Sequence, residues 1–410
     1  MIKPQSKKVI YNTVIVAALG YFVDVYDLVL FLIVGKKSLL DLLGNGKTEW
    51  ILEKFQFLLD VQMIGMLIGG VLWGIIGDFK GRLSVLFGSI IMYSVANLLN
   101  AFVYDIASYT VLRFIAGLGL AGELGAGITL VSEIMSKENR GYGTMIVASV
   151  GVLGAVVAGL TANLLGWRIT YLIGGFLGLL LLLLRISTFE SSIFEKNKHQ
   201  NISRGISLFL KDQKLLLKLF FCVAIGFPVW FIIGIFVGRA PEIAKMLHVN
   251  GIIEQSYCVS LCYTGLVFGD LSSGALSQYL RSRKKVLLVF YILSMSLVFI
   301  YIHAYQVSSQ LFYALIFGLG FSVGFWAIFV TIASEQFGTN VRATATTTVP
   351  NLVRGSLVPI ALIFDFLRKN YNFWTATYLT TAIVFAFTLW AWYNLKETFG
   401  KDLDYNEKVL

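Results

Sequence analysis

The sequence predicts an all-α membrane protein in which twelve transmembrane helices form two pseudo-symmetric bundles of six, with both termini in the cytoplasm. The 410 residues are 57% hydrophobic and only 14% charged, whereas a soluble protein of this length carries about a quarter charged residues. Apolar runs of about 20 residues, the length that crosses a bilayer, recur about twelve times. Charged residues also repeat between the two halves at a fixed offset.

Short polar turns separate the predicted helices. Their approximate ranges are 10–36, 54–77, 84–104, 107–133, 142–165 and 169–188 in the first half, then 216–238, 254–279, 286–304, 310–333, 344–367 and 373–394. The first run carries Asp24 and Asp27 and lacks a small-residue cleavage site, so it is a retained helix and not a signal peptide. The chain thus divides into an N-terminal bundle (1–189), a polar linker (190–214), a C-terminal bundle (215–395) and a cytoplasmic tail (396–410).

The positive charges indicate the orientation. With both termini inside, 21 of the 33 Lys and Arg residues fall in inner segments and nine in outer segments. This bias places both termini in the cytoplasm. It also explains the net charge of +10, which reflects topology and does not indicate a nucleic-acid partner.

The acid and base after the fourth helix recur after the tenth. Glu133 and Arg140 stand seven residues apart, as do Glu335 and Arg342, and the offset is 202 in both cases. The turn after the second helix recurs more weakly 200 residues on, with Gln278 near the place of an acid. These matches predict duplicated halves with a binding site between them near the bilayer midplane.

The stretch GIIGDFKGR, Gly74 to Arg82, holds three glycines, one acid and two bases in nine positions. Glycines let two helix ends approach closely, and charged pairs at such an end can break and re-form. We interpret the stretch as part of a cytoplasmic gate; the alternative is an ordinary basic loop. The predicted gate residues are Gly74, Asp78, Gly81, Arg82, Glu133, Arg140, Asp270, Glu335 and Arg342. For Asp270 a structural role is the alternative.

The same residues resemble the major facilitator superfamily. GIIGDFKGR is similar to its loop signature G-x-L-x-D-R-x-G-R-R, with Phe79 in place of an arginine. RFIAGLGLAGE from Arg113 resembles the fourth-helix motif of metabolite:proton symporters and their sugar-porter relatives. Three further segments are similar to other motifs of these relatives: GWR from Gly166 to the motif before helix 6, FESSIFEK from Phe189 to the P-E-S-P segment after it, without the prolines, and ETFGKDL from Glu397 to the closing motif. The resemblance implies a transporter that rocks two halves about a central site.

Several charges lie inside apolar spans, at a cost of about 2.5–3.5 kcal/mol each on insertion scales. They are Asp24, Asp27, Asp60, Arg113, Glu123, Asp270 and Arg354. Asp27 and Arg113 lie at similar depths, and in the family resembled an acid and an arginine on these two helices couple transport to protons. Asp24, one turn away, is a second candidate for proton coupling. The alternative is a static buried salt bridge.

Other residues are candidates for substrate binding. In the family resembled, the acid at Glu123 lines the cavity; a structural partner role is the alternative. Arg354, with Asn351 three residues earlier on the same face, suits a carboxylate or phosphate, or else it neutralises an acid of helix 1 or 8. Trp230, Trp326 and Tyr263 can line the cavity or serve as packing and interface anchors.

The sequence therefore predicts a proton-coupled symporter of a small polar metabolite. We expect no cofactor and no metal, since no Walker motif, clustered nucleophile or metal-ligand spacing occurs. The expected partners are the substrate, protons and membrane lipid, and the expected form is a monomer in a bacterial inner membrane. A carboxylate-bearing substrate is favoured. The alternatives are a proton-driven exporter of a siderophore or drug-like compound, a membrane enzyme, and a channel or receptor.

Overall fold

The structure is a computed structural model that describes residues 7–44, 48–184 and 206–407. Within these residues, twelve helical segments are long and apolar enough to cross a membrane, and the one β pairing is an isolated bridge between Asn250 and Ser308. The predicted all-α, twelve-helix architecture is confirmed. We number these segments spans 1 to 12 and call spans 1 to 6 the N-half and spans 7 to 12 the C-half.

In the N-half, span 4 is divided into two helices. In chain order the helices of spans 1 to 6 are Lys7–Leu43, Thr48–Lys80, Arg82–Asn100, Ile106–Leu120 with Glu123–Ile134, Arg140–Leu165 and Trp167–Leu184. The first connection is shorter than the sequence predicts, because span 1 continues to Leu43 and span 2 begins at Thr48. Polar residues at the ends of both spans continue the helices beyond the apolar runs.

In the C-half, spans 7, 10 and 11 are divided. Their helices in chain order are Gln213–Ala224, Phe227–Phe231 and the π-helical Ile232–Val237 (span 7), Gln255–Tyr279 (span 8), Arg283–Ile302 (span 9), Ser309–Ser322 with Trp326–Gln336 (span 10), Arg342–Gly355 with Leu357–Asn370 (span 11) and Phe373–Asn394 (span 12). Two short helices, Ile206–Lys211 and Ala240–Met246, flank span 7. The boundary expected at residue 189, most of the linker 190–214 and the segment 189–196 lie outside the described residues.

The breaks in spans 4 and 10 free backbone groups that side chains from other spans satisfy. In span 4, the carbonyl of Leu118 accepts a hydrogen bond from Trp73 Nε1 (2.7 Å), and that of Ala121 accepts one from Asn351 Nδ2 (3.1 Å). In span 10, the N–H of Ala327 donates to Asp270 Oδ1 (3.1 Å). Each break is therefore held by specific polar contacts, as buried backbone groups require.

The halves meet along two seams, spans 2 and 11 and spans 5 and 8, and a glycine lies in each. A Cβ atom built on Gly74 would lie 2.6 Å from the Cα of Thr344, so the two backbones come close there. On Gly274 a Cβ atom would meet the flexible side chain of Met145, which can shift. The seam between spans 2 and 11 therefore depends on glycine more strongly than the seam between spans 5 and 8.

One end of the bundle holds the turns between spans 2 and 3, 4 and 5, 8 and 9, and 10 and 11, together with the C-terminal tail. We call it the basic end. Gly81 forms the tight turn between spans 2 and 3 with φ of 100°, a backbone conformation that glycine adopts without strain.

Candidate functional site

A buried carboxylate joins the two halves at the basic end. Glu133 Oε1 of span 4 accepts hydrogen bonds from Arg82 Nη2 (2.8 Å) and from Arg342 Nη1 of span 11 (2.7 Å). All three side chains are shielded from solvent. Arg82 also donates to the carbonyl of Thr339 in the C-half (3.1 Å). Because burial strengthens charged hydrogen bonds, this cluster clamps span 4 to span 11.

A second cluster has the same form with the halves exchanged. Glu335 of span 10 lies 3.3 Å from Arg283 Nη2 and 3.9 Å from Arg140 Nη1 of span 5. These pairs are longer than those of Glu133, so the second clamp is weaker. Arg283 was not among the gate residues predicted from the sequence, although it stands 201 positions after Arg82 within the weak second copy of the turn.

Each half also caps a helix of the other. The Asp78 carboxylate accepts hydrogen bonds from the backbone N–H groups of Ala343 (2.9 Å) and Thr344 (3.0 Å), where span 11 begins. In the amide orientation that satisfies both groups, Gln278 Oε1 accepts from the N–H groups of Gly141 (3.2 Å) and Tyr142 (3.0 Å), where span 5 begins. The degraded second copy thus keeps the capping geometry and replaces a charged acceptor with a neutral one.

Two pairs of hydroxyls bridge the halves one turn farther into the membrane. Thr129 Oγ1 of span 4 lies 2.5 Å from Thr346 Oγ1 of span 11, and Thr331 Oγ1 of span 10 lies 2.8 Å from Thr144 Oγ1 of span 5. Both members of the second pair are related to the first by an offset of 202. The duplication therefore continues below the charged clusters, in residues that the sequence patterns did not single out.

The C-terminal tail contacts both charged clusters. Thr398 Oγ1 donates to Glu335 Oε2 (2.7 Å), and the carbonyl of Leu403 accepts from Arg342 Nη2 (2.6 Å). Burial raises the pKa of Glu397, but hydrogen bonds from Ser282 and from several backbone N–H groups outweigh it and hold the pKa below its usual range. Burial, together with the nearby Lys218, lowers the pKa of Lys401 to about 8.

A small cavity lies between the halves near the middle of the bundle. Its volume is about 30 Å³, room for about one water molecule. Its lining comprises Tyr21, Val25, Leu28, Val152, Val229, Trp230, Ile233, Tyr263, Leu266, Trp326 and Arg354. Four of the predicted substrate residues, Arg354 and the three aromatics, therefore meet here, whereas Glu123 and Asn351 are not part of the lining.

Arg354 is the cation of this cavity. Its side chain is buried, and Nη1 donates a hydrogen bond to Asn351 Oδ1 (3.1 Å). Asn351 therefore orients the guanidinium. Among the described residues, Arg354 Nε has no hydrogen-bond partner, and neither does the indole N–H of Trp326, whose ring lies 5.6 Å from the guanidinium carbon. Arg354 forms no ion pair within 4.0 Å with a described acid, which argues against the alternative that it neutralises a helix 1 or helix 8 carboxylate.

Asp27 and Arg113 are both fully buried inside the N-half, behind the cavity wall. They form no direct ion pair within 4.0 Å. Asn97 of span 3 lies between them: its Oδ1 accepts a hydrogen bond from Arg113 Nη2 (2.8 Å), and it also adjoins Asp27. The Asp27 carboxylate packs against Gly174, where a Cβ atom would clash with one of its oxygens. The guanidinium of Arg113 rests against the Tyr171 ring at 4.9 Å.

The remaining predicted site residues occupy other buried places. Asp24 is fully buried on span 1, one turn nearer the basic end than Asp27, and Glu123 begins the second helix of span 4. Asp270 caps the second helix of span 10 beside Trp326. The structure thus places Asp270 at the level of the cavity and apart from the charged gate clusters, because the break in span 10 needs an acceptor there.

In the described part of the chain, no group of three His, Cys, Asp or Glu side chains lies close enough to hold an ion. Cys222, Cys258 and Cys262 are buried free thiols, and burial in apolar surroundings makes such thiols unreactive.

Comparison with known proteins gives a consistent result. The sequence model of the Major Facilitator Superfamily matches residues 17–358. A Bacillus subtilis protein, provisionally named as the niacin/nicotinamide transporter NiaP, is 26% identical over 87% of this chain and 89% of its own length. The sialic acid transporter NanX of Escherichia coli is 23% identical over 93% of this chain and 92% of its own. The solved structure of the proton:xylose symporter XylE aligns with a TM-score of 0.75 at 16% identity, covering 98% of both chains.

Proposed function

Because the chain belongs to the Major Facilitator Superfamily, and the relatives named above are transporters and not enzymes, we propose that it is a proton-coupled symporter. In this proposal it imports a small carboxylate-bearing metabolite by alternating access. The expected family and the multi-pass membrane fold are confirmed; the substrate and the coupling ion are the proposal.

The observation that carries the proposal is that the Arg354 side chain is buried and has no described ion-pair partner. The Arg354 guanidinium is buried between the two halves at the edge of the cavity, and none of the described acids lies within 4.0 Å of it, so it has no ion-pair partner in the described part of the chain. Burying such a charge is costly unless a partner neutralises it. A substrate carboxylate supplies that partner, and the planar fork of arginine matches carboxylate geometry.

The relatives support a carboxylate. Niacin and sialic acid, which appear in the names of two relatives, are both carboxylic acids; the first name also includes nicotinamide, the neutral amide of niacin. The common chemical feature of these two compounds is the acid group, since their carbon skeletons are unlike. Both compounds therefore need a cationic residue in the site to bind the carboxylate.

Proton coupling is assigned to Asp27. A buried acid that is linked to a buried arginine through Asn97 has two states: ionised and attracted to Arg113, or neutral. Desolvation favours the neutral form and the nearby arginine favours the ionised one. Proton uptake therefore changes the attraction between span 1 and span 4, and Val25 and Leu28 of span 1 line the cavity.

The basic end is assigned to the cytoplasm on the positive-inside bias, and the protein to a bacterial inner membrane as a monomer. The polar contacts between the halves described above lie between this end and Asn351. In this proposal the structure is therefore closed toward the cytoplasm, and import requires the two charged clusters, the two caps and the two hydroxyl bridges to separate together.

Uptake into proteoliposomes tests the proposal. A symporter accumulates labelled niacin or a related carboxylate when the outside is made acidic, and a protonophore abolishes accumulation. Expulsion of substrate under the same gradient would instead establish a proton-driven exporter. Uptake that is indifferent to the gradient would remove proton coupling.

A further inference from the structure

The side chains around the central cavity offer one cation and a mostly apolar surface. Four aromatic rings and six aliphatic side chains accompany Arg354. Beyond the guanidinium, the polar groups that these side chains bring are two indole N–H groups and two phenol hydroxyls. The lining contains no carboxylate and no carboxamide, so it offers a ligand several donors and few acceptors.

Two of the donors are buried and unused. Arg354 and Trp326 are each 4% exposed, and neither Arg354 Nε nor Trp326 Nε1 has a hydrogen-bond partner in the part of the chain that the structure describes. Both side chains line the same cavity, and the Trp326 ring lies beside the guanidinium. Unsatisfied buried donors carry a desolvation penalty, which one anion with two oxygens can relieve at both places.

Other side chains fix both donors in place. Asn351 Oδ1 holds Arg354 at Nη1 (3.1 Å) and leaves Nε free. Trp326 is the first residue of the helix that Asp270 caps, so the break in span 10 determines where the indole points. A ligand therefore meets donors that are already oriented, which reduces the entropy cost of binding.

We infer that the site takes an aromatic monocarboxylate: the carboxylate binds Arg354 Nε and the indole N–H of Trp326, and the flat ring packs against Trp230 and Tyr263. This inference rests on the proposed function and specifies the body of the substrate. It differs from the polar metabolite that the sequence predicts, because the lining is apolar away from Arg354.

The same lining excludes other classes. A sugar or polyhydroxylated acid would bury several hydroxyl donors where acceptors are few, and each unpaired group is unfavourable. The ammonium of an amino acid would lie near the Arg354 guanidinium, and the two like charges would repel each other. A neutral aromatic amide would leave the guanidinium uncompensated, and sites built to bind a specific polar group discriminate strongly against analogues that lack it.

In the structure the aromatic side chains themselves fill most of the space between the halves, since the cavity holds about 30 Å³. The ligand therefore binds when the halves separate at one end. The helix breaks in spans 7, 10 and 11 lie next to Trp230, Trp326 and Arg354, so the residues that contact the ligand stand where these spans can bend.

Equilibrium binding of radiolabelled benzoate to the purified full-length protein in detergent tests the inference, with unlabelled competitors. We expect benzoate to bind at least about 10-fold more tightly than benzamide, because a charge-assisted hydrogen bond stabilises by more than a neutral one. Cyclohexanecarboxylate is expected to bind about 2- to 10-fold more weakly than benzoate, since stacking of the ring is lost. Gluconate and leucine are expected not to compete.

Substitution of Trp326 separates the role of its N–H from that of its ring. Trp326→Phe is expected to weaken benzoate binding about 10-fold, and to leave the weak benzamide binding unchanged. Trp390→Phe, at an exposed position on span 12, is the matched control and is expected to bind benzoate like the unmodified protein. Equal benzoate affinity in Trp326→Phe and the control would overturn the assignment of the indole.

The outcomes also separate this inference from the proposed function. If aliphatic carboxylates or sugar acids bind as tightly as benzoate and accumulate under a proton gradient, the aromatic assignment is wrong and the symporter proposal stands. If benzoate binds with the stated selectivity but does not accumulate under any gradient, the site assignment stands and proton-driven uptake is wrong.

Discussion

Glu133 and Arg342 are 209 residues apart in the chain and are joined by a buried hydrogen bond of 2.7 Å between Oε1 and Nη1. The first belongs to span 4 of the N-half and the second to span 11 of the C-half. Each has a counterpart 202 residues away, Glu335 and Arg140, whose closest approach is 3.9 Å. The duplicated gate is thus asymmetric, and this asymmetry leads to several predictions.

Glu133→Gln is expected to favour the state that is open at the basic end. The substitution leaves two buried arginines without their carboxylate, and breaking a buried pair in this way costs about 3–5 kcal/mol, a shift of roughly 100-fold or more. A cysteine introduced at Ser334, a buried residue beside the gate, reports opening through its rate of labelling by a polar maleimide. Glu138→Gln, at an exposed position in the same region, is the control; equal labelling of both variants would contradict the prediction.

Glu335→Gln is expected to have a smaller effect of the same sign. Its arginines lie at 3.3 Å and 3.9 Å, so less interaction is lost than at Glu133. A cysteine at Ser132, the counterpart of Ser334 in the N-half, allows the comparison without a substitution next to Glu335. If the labelling rate of Glu335→Gln rises as much as that of Glu133→Gln, the two clusters stabilise the closed state equally and the prediction is wrong.

Thr129→Val tests the hydroxyl layer. Thr129 keeps no cross-half bond after the change, and one hydrogen bond contributes about 0.5–1.5 kcal/mol, so maleimide labelling is expected to rise about 2- to 10-fold. Thr346→Val should raise the labelling rate by a similar factor. In the double variant the effect on the free energy of opening should be smaller than the sum of the two single effects, because both substitutions remove the same interaction. Thr110→Val is the control, because the Thr110 hydroxyl bonds to the Ile106 carbonyl of its own helix. Strict additivity would show that the pair is not coupled.

Asp27→Asn is expected to abolish accumulation driven by a proton gradient and to leave substrate exchange intact. An amide cannot take up or release the proton, yet it retains the size of the side chain that packs on Gly174. Counterflow and gradient-driven uptake in proteoliposomes measure the two activities separately. Asp41→Asn, at the exposed far end of the same span, should retain both. Gradient-driven accumulation by Asp27→Asn would show that another group couples the proton.

Docking of the C-terminal tail is expected to tighten as the pH on the basic side rises. The pKa of Lys401 is lowered to about 8 in the docked tail by burial and by Lys218, below the value near 10.4 of a solvated lysine. Below about pH 8 the Lys401 ammonium is charged in the docked and in the undocked tail, and docking bears the whole cost of burying the charge. Between about pH 8 and 10.4 the docked lysine is neutral, and this cost is progressively lost as the pH rises.

Hydrogen exchange of residues 401–407 between pH 7 and 9.5, corrected for intrinsic rates, measures this effect. Lys401→Met should reduce the pH dependence, and Lys137→Met, at an exposed position, should not. Protection that falls with rising pH would contradict the expected sign of the effect.

The sequence by itself determined the class of fold. Runs of about 20 apolar residues must become helices in lipid, because unpaired backbone groups are costly there, and twelve such runs give twelve spans. The offset of 202 between Glu133 and Glu335 also indicated the duplication, since repeated local sequences form repeated local structures. The signature of the gate stretch and the fourth-helix motif identified the family.

Contacts across the halves were decided only by the tertiary structure. The sequence indicated that Asp27 and Arg113 lie at one depth, but not that Asn97 stands between them. It grouped Asp270 with the gate, where the structure uses it to cap a helix break, and it did not reveal Arg283 or the threonine pairs. Which side chains meet depends on how the spans tilt, break and rotate, and these are set by packing between distant segments. Local sequence fixes what each helix is; the partners of its buried charges follow from the way the helices pack.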